Sequence, residues 1–161
     1  MTKIKDILSI RLEDDIKSVI DLNQQDERSI IDELDGFILT ESLAKHLADF
    51  CDFFTSNTAQ PGLWLSGFYG SGKSYFSKMI GFLLKNPTLQ GTSVRDRFQN
   101  KLIGLPNAGL LQNSINELGR TNNHIVLFDA AKTTGNHGIS YMMMGAFLKS
   151  LGLNDDWVGI I

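Results

Sequence analysis

The sequence predicts an α/β fold. Leu63-Trp64-Leu65 is a short apolar run that enters a glycine-rich turn, and helical periodicity begins at Lys73 straight after it. His124-Ile125-Val126-Leu127-Phe128 is a second apolar run, near-continuous and of the buried parallel-strand type. Helical patterns lie between the two runs and after the second, which is the strand–helix alternation of an α/β domain.

The elements follow in chain order. Residues 2–25 place Ile7, Leu8, Ile10, Leu12, Ile16, Val19, Ile20 and Leu22 in no sustained period of 2 or 3.6. From Asp26 the spacing of Ile30, Ile31, Leu34 and Phe37 or Ile38 predicts a helix, with Asp26 and Glu27 at its positive start and Gly36 at its end. Thr40 reads as the N-cap of a second helix. Leu43, Leu47, Phe50 and Phe54 give that helix an apolar stripe, flanked by Ala44, Ala48 and Cys51. Residues 56–62 form a loop closed by Pro61-Gly62.

The helix from Lys73 carries Phe76, Met79, Ile80 and Leu83 on one face and stops before Asn86-Pro87. Ser93 and Asp96 have capping-box spacing and open a short helix through Lys101. Residues 107–118 predict another helix, with Leu110, Leu111, Ile115 and Leu118 apolar and Gly119 as its stop. After a turn at residues 134–138, a last helix turns Met142, Met143, Phe147, Leu148 and Leu151 inward and ends at Gly152.

Composition bounds the function classes. At 161 residues the chain has a one-domain length, and 42% hydrophobic with 20% charged residues is the balance of a globular protein. Residues 1–60 hold six basic and thirteen acidic side chains, a net −7, whereas residues 61–161 hold nine and five, a net +4. The division predicts an acidic, mostly helical lead-in over 1–60 packed on a nucleotide-binding part over 61–161, the part that handles an anion. No 18-residue apolar segment occurs, so no helix is expected to span a membrane. Met1–Ile10 lacks the apolar core of a signal peptide, and Cys51 has no partner cysteine, so a cytoplasmic setting is expected.

Gly67-Phe68-Tyr69-Gly70-Ser71-Gly72-Lys73-Ser74 matches G-x-x-x-x-G-K-[ST] at every fixed position. Such a match arises by chance in about one chain in two hundred of this length. A preceding strand and a following helix make accident rarer still. Glycines allow the backbone turns that point successive N–H groups inward as an anion nest, and the helix N-terminus adds partial positive charge. Lys73 would reach the β- and γ-phosphates of ATP, and the Ser74 hydroxyl would be a Mg²⁺ ligand. The expected nucleotide contacts are Gly67, Tyr69, Gly70, Ser71, Gly72, Lys73, Ser74 and Tyr75, with Lys73 as the catalytic cation. The fold class sharpens accordingly to a P-loop nucleotide-binding core.

The segment from Gly62 to Phe76 containing this loop resembles the phosphate-loop region of the BrxC family, large ATPases of bacterial BREX phage-defence systems. The segment from Asp32 to Leu47, Asp32-Glu33-Leu34-Asp35-Gly36-Phe37-Ile38-Leu39-Thr40-Glu41-Ser42-Leu43-Ala44-Lys45-His46-Leu47, is similar to that family's N-terminal lead-in, as is the pattern from Ile4 through Ile20. The likeness covers most of the chain, and only the phosphate loop is specific by itself. It implies a core of the additional-strand (AAA+) type, present here in part, because members run to many hundreds of residues. It also implies ATP-driven work in excluding phage DNA, with other BREX proteins including a DNA methyltransferase as partners. DNA would be met through the full-length protein only.

Remaining candidates are weaker. Asp129, closing the second apolar run, has the local look of a Walker B aspartate, but Ala130-Ala131 follow it without a glutamate to act as base. In the family it resembles, that aspartate ends the third strand in sequence, and this run is the second. The plainer reading is a polar residue closing a strand, with Lys132 and Thr133 in the loop beyond. His46, His124 and His137 read as structural, since one cysteine and three histidines assemble no metal constellation. Arg95, Arg97 and Lys101 beside Phe98 read as a solvated helix face before a phosphate-backbone contact. Trp157 with Asp155 and Asp156 reads as part of a truncated element, and Met142-Met143-Met144 as helix packing.

Three function classes follow: the nucleotide-binding portion of an ATPase, a small P-loop kinase, and a non-catalytic module whose association nucleotide controls. A kinase needs lid arginines, for which the chain offers Arg95, Arg97 and Arg120. The 60-residue lead-in is long for a minimal kinase. Two strands make a narrow sheet, so self-association is a further expectation.

Overall fold

The computed structural model describes residues 26–56, 62–120, 123–128 and 138–153. Asp26 caps α1 (Glu27–Gly36) by accepting from the Ser29 N–H at 3.0 Å. Thr40 caps α2 (Glu41–Thr55) by accepting from the Leu43 N–H at 3.3 Å. After residues 62–72 comes α3 (Lys73–Lys85), which ends where Asn86 takes the left-handed conformation ahead of Pro87. Strands β1 (Thr88–Leu89) and β2 (Thr92–Ser93) pair antiparallel around Gln90-Gly91, both at positive φ as a type I′ turn requires.

Ser93 then caps α4 (Val94–Gln99), accepting from the Asp96 N–H at 3.2 Å, and a 3₁₀ turn over Asn100–Leu102 extends it. Helix α5 (Ala108–Glu117) runs into a 3₁₀ turn over Leu118–Arg120, and α6 (Ile139–Ser150) closes at Gly152 in the left-handed region.

One apolar core joins α1 and α2 to the helices that follow. Leu34 from α1, Leu47 and Cys51 from α2, Met79 and Leu83 from α3, Val94 and Phe98 from α4 and Ile115 from α5 are all buried in it. Helix α2 lies against α5. Its stripe is buried deepest at Ala44, Leu47 and Cys51, while Leu43, Phe50 and Phe54 are half-buried, with the Phe50 and Phe54 rings stacked at 5.7 Å. The acidic residues of this stretch fall on the outer faces of α1 and α2, apart from Glu33, which is buried.

The parallel sheet expected from the two apolar runs is not among the described residues, where β1 and β2 form a two-stranded antiparallel sheet and the other regular elements are helical. Residues 62–68 form no regular element, and Trp64 is 90% exposed. Residues 123–128 meet a helix instead: Leu127 packs onto Gly81 of α3, so closely that a Cβ there would lie 2.9 Å from Leu127 Cδ1. An apolar run encodes burial, and burial against a helix satisfies it as well as burial in a sheet does.

The last helix differs too. Met143, Phe147 and Leu151 are exposed and Gly145 is its buried residue, because α6 is apolar all round and has no single stripe to turn inward. Leu110 of α5 also points outward, since Leu111, Ile115 and Leu118 set the buried line. Residues 1–25, and with them the pattern from Ile4 through Ile20, lie outside the described residues, as do Asp129, Lys132, Thr133, His137 and Trp157. No helix of the described residues is long and apolar enough to cross a membrane.

Candidate functional site

The glycine-rich turn connects residues 62–68 to α3. Gly70 at φ +77° and Gly72 at φ +81° occupy the left-handed region, which residues with a Cβ adopt at a cost. Gly67 lies close under the turn, since a Cβ there would meet Ser71 Oγ at 2.9 Å and oblige that hydroxyl to shift. The Ser71 N–H closes the turn on the Phe68 carbonyl at 3.2 Å. Gly72 is the N-cap of α3, its carbonyl accepting from the Phe76 N–H at 2.8 Å, and no side chain caps the helix. The first-turn N–H groups at Lys73, Ser74 and Tyr75 therefore face the turn with the positive end of the helix behind them.

Lys73 folds back over this turn. Its Nζ donates to the Phe68 carbonyl at 2.6 Å and lies 3.4 Å from Ser71 Oγ. Ser74 is exposed, with its hydroxyl oxygen one residue along the helix. Tyr69 and Phe68 stand fully outside the turn, so Tyr69 offers it backbone alone. Tyr75 points the other way: its ring meets Phe37 edge-on at 5.3 Å, and its hydroxyl donates to the Glu33 carbonyl. Burial first, and then the Glu33 carboxylate, push the Tyr75 phenol up to about 12.

A cavity of about 380 Å³ opens beside the turn. Ser71, Gly72 and Lys73 line one end of it, Phe37, Leu43, Tyr75 and Phe76 give it apolar walls, and the exposed His46 also lines it. The structure thus brings Lys73, Gly72 and Ser71 together with residues of α1, α2 and the link between them.

The basic residues of α4 and the turn after it are engaged elsewhere. Arg95 donates to the Leu83 and Leu84 carbonyls at the end of α3, at 2.8 and 3.3 Å, and Arg97 donates to the Leu89 carbonyl at 2.8 Å. Lys101 donates to the Asp35 carbonyl at 2.7 Å. These side chains satisfy helix-end and hairpin carbonyls rather than forming the solvated face expected for them. Arg120 pairs with Glu117 at 2.7 Å on the surface.

His124 is not isolated, because its Nε2 lies 2.7 Å from Ser150 Oγ. That hydroxyl donates to the Phe147 carbonyl at 2.5 Å. Sequence reasoning missed Glu33 and Lys78, whose buried ion pair ties α1 to α3 at 2.7 Å. The signal was a lysine placed among Phe76, Met79 and Phe82 on the apolar side of a helix, which demands a carboxylate partner.

No protein-family model matches the chain, and no solved structure matches it.

Proposed function

We propose that residues 67–75 bind the polyphosphate of a nucleotide, Mg-ATP in the first place, and that the chain is the nucleotide-binding N-terminal portion of a BREX-type phage-defence ATPase. The observation that carries the phosphate reading is the Gly67–Ser74 turn itself. It places two left-handed glycines and an uncapped helix start beneath the Lys73 ammonium. A phosphate oxygen would replace the Phe68 carbonyl as the lysine's acceptor, gaining a charge-assisted contact.

The neighbouring cavity supports a nucleotide over free phosphate, since Phe37, Leu43 and Phe76 would offer a flat base apolar walls in the same cavity that Ser71, Gly72 and Lys73 line. The donor set fits Mg²⁺ as well. That ion needs few protein ligands when phosphate oxygens supply the others, and the exposed Ser74 hydroxyl is a hard oxygen at the right end of the turn. When bound, Mg²⁺ neutralises charge on the phosphate oxygens.

The BREX assignment rests on the resemblance at residues 32–47 and 62–76. With it come the proposed partners: other proteins of that defence system, a second copy of the chain, and DNA through a longer protein. The engagement of Arg95, Arg97 and Arg120 with carbonyls and Glu117 disfavours the small-kinase reading, which needs those arginines over a substrate.

Displacement of a fluorescent ATP analogue tests the reading. Inorganic tripolyphosphate and ATP are expected to displace it in the presence of Mg²⁺, and adenosine to do so far more weakly. Adenosine displacing as well as ATP would show that the turn is not the anchor.

A further inference from the structure

The carbonyls at the end of α1 have no N–H donors within the helix itself, and three other donors take them. The Phe37 N–H donates to Leu34 at 3.3 Å, Lys101 Nζ donates to Asp35 at 2.7 Å, and the Tyr75 hydroxyl donates to Glu33. Tyr75 is the residue after Ser74, in the first turn of α3. Three residues on, Lys78 reaches the side chain of the same Glu33, with its Nζ 2.7 Å from Oε2 and 2.9 Å from Oε1. Positions 75 and 78 share one helix face, so that face grips Glu33 by its backbone and by its carboxylate together. On the loop side, by contrast, α3 starts at a left-handed glycine with no side-chain cap.

We propose that Tyr75 and Lys78 are positioning residues that couple phosphate binding at residues 67–74 to the docking of helix α1. The inference rests on the phosphate reading of that turn. With α1 docked, the first turn of α3 is held in the orientation that aims its N–H groups at the loop. By linkage, a bound polyphosphate holds α1 in place to the same degree. The nucleotide state is thereby reported to the acidic N-terminal part of the chain, to which α1 belongs.

Hydrogen exchange of the α1 amides, residues 30–36, tests this on the full chain with ATP binding measured in the same samples. Saturating Mg-ATP is expected to slow that exchange about fivefold or more in the wild type. It should do nothing in Lys73→Ala. Tyr75→Phe keeps the backbone N–H at position 75 and removes the hydroxyl, and should bind ATP about three- to tenfold more weakly. At saturation it should retain half or less of the ATP-induced slowing. The double variant Glu33→Leu/Lys78→Met, which replaces the ion pair with apolar groups, should do the same. A merely structural role would leave the ATP-induced factor unchanged, whatever the variant did to basal exchange. That result in both variants, or a wild type that binds ATP with no slowing in α1, overturns the coupling and leaves phosphate binding standing. A wild type that binds no ATP overturns the phosphate reading and the coupling with it.

Discussion

The Lys78 ammonium and the Glu33 carboxylate meet at 2.7 Å with side chains only 1% and 7% exposed, joining α3 to α1 across 45 residues of sequence. The ammonium also lies 5.6 Å from the centre of the Phe82 ring. Two charges withdrawn from water are held there by each other, so removing one strands the other.

Lys78→Ala is therefore expected to lower unfolding free energy by about 3–5 kcal/mol. Glu33→Leu/Lys78→Met, which leaves no buried charge, should be near neutral or stabilising. Urea denaturation measures both. A Lys78→Ala loss below about 1 kcal/mol, the range of an exposed pair, would mean that the two charges are not sealed from water.

Alkaline stability follows from two buried weak acids. Burial first, and then Asp52, push the Cys51 thiol up to about 12 from 9.0, and Tyr75 rises to about 12 from 10.0. Both folded values lie above the unfolded ones. Their stabilisation is fully present below pH 9 and is lost as pH rises from there towards 12. Lys101, whose ammonium burial pulls down, works in the opposite sense, so the informative quantity is a difference between proteins. Melting temperatures taken from pH 8 to 11 should fall less steeply for Tyr75→Phe and for Cys51→Ala than for the wild type. Parallel curves would show that neither group is withdrawn from water.

Much of the helical frame is legible in the sequence because its signals are local. Asp26, Thr40 and Ser93 each accept from an N–H three residues on, and Asn86 and Gly152 take the left-handed conformation where their helices end. The glycine-rich turn is legible for the same reason, since Gly70 and Gly72 act at their own positions. What the sequence hides is non-local. Arg95 and Lys101 look like free charges until the fold brings the Leu83 and Asp35 carbonyls to them. Glu33 is one acid among many until Lys78 arrives from 45 residues away. The hairpin at Gln90-Gly91 is too short for a periodic signal, and α6 is too uniformly apolar to declare an inward face.

Hydrolysis makes a sharper demand than binding. Phosphoryl transfer needs an acid to orient water and a cation to meet developing charge, and each missing part lowers the rate multiplicatively. The described site supplies Lys73 and Ser74, whereas Arg95, Arg97 and Arg120 are engaged away from it. The 161-residue chain alone is expected to release phosphate from ATP no faster than Lys73→Ala does. Steady-state phosphate release measures this. Robust turnover that Asp129→Ala abolishes would make Asp129 the Walker B residue and this chain a working ATPase. Nucleotide binding without turnover would suit a module that nucleotide controls or one completed by further sequence.

The central claim is that Lys73 and the turn around it hold a nucleotide's phosphates. Calorimetric titration of the wild type and of folded Lys73→Ala with ATP in the presence of Mg²⁺ tests it most directly. Loss of one charge-assisted contact to phosphate should weaken Lys73→Ala by about 1.5–3 kcal/mol, roughly ten- to a hundredfold in Kd. Equal affinity in the two proteins, or no binding by the wild type, would contradict the account.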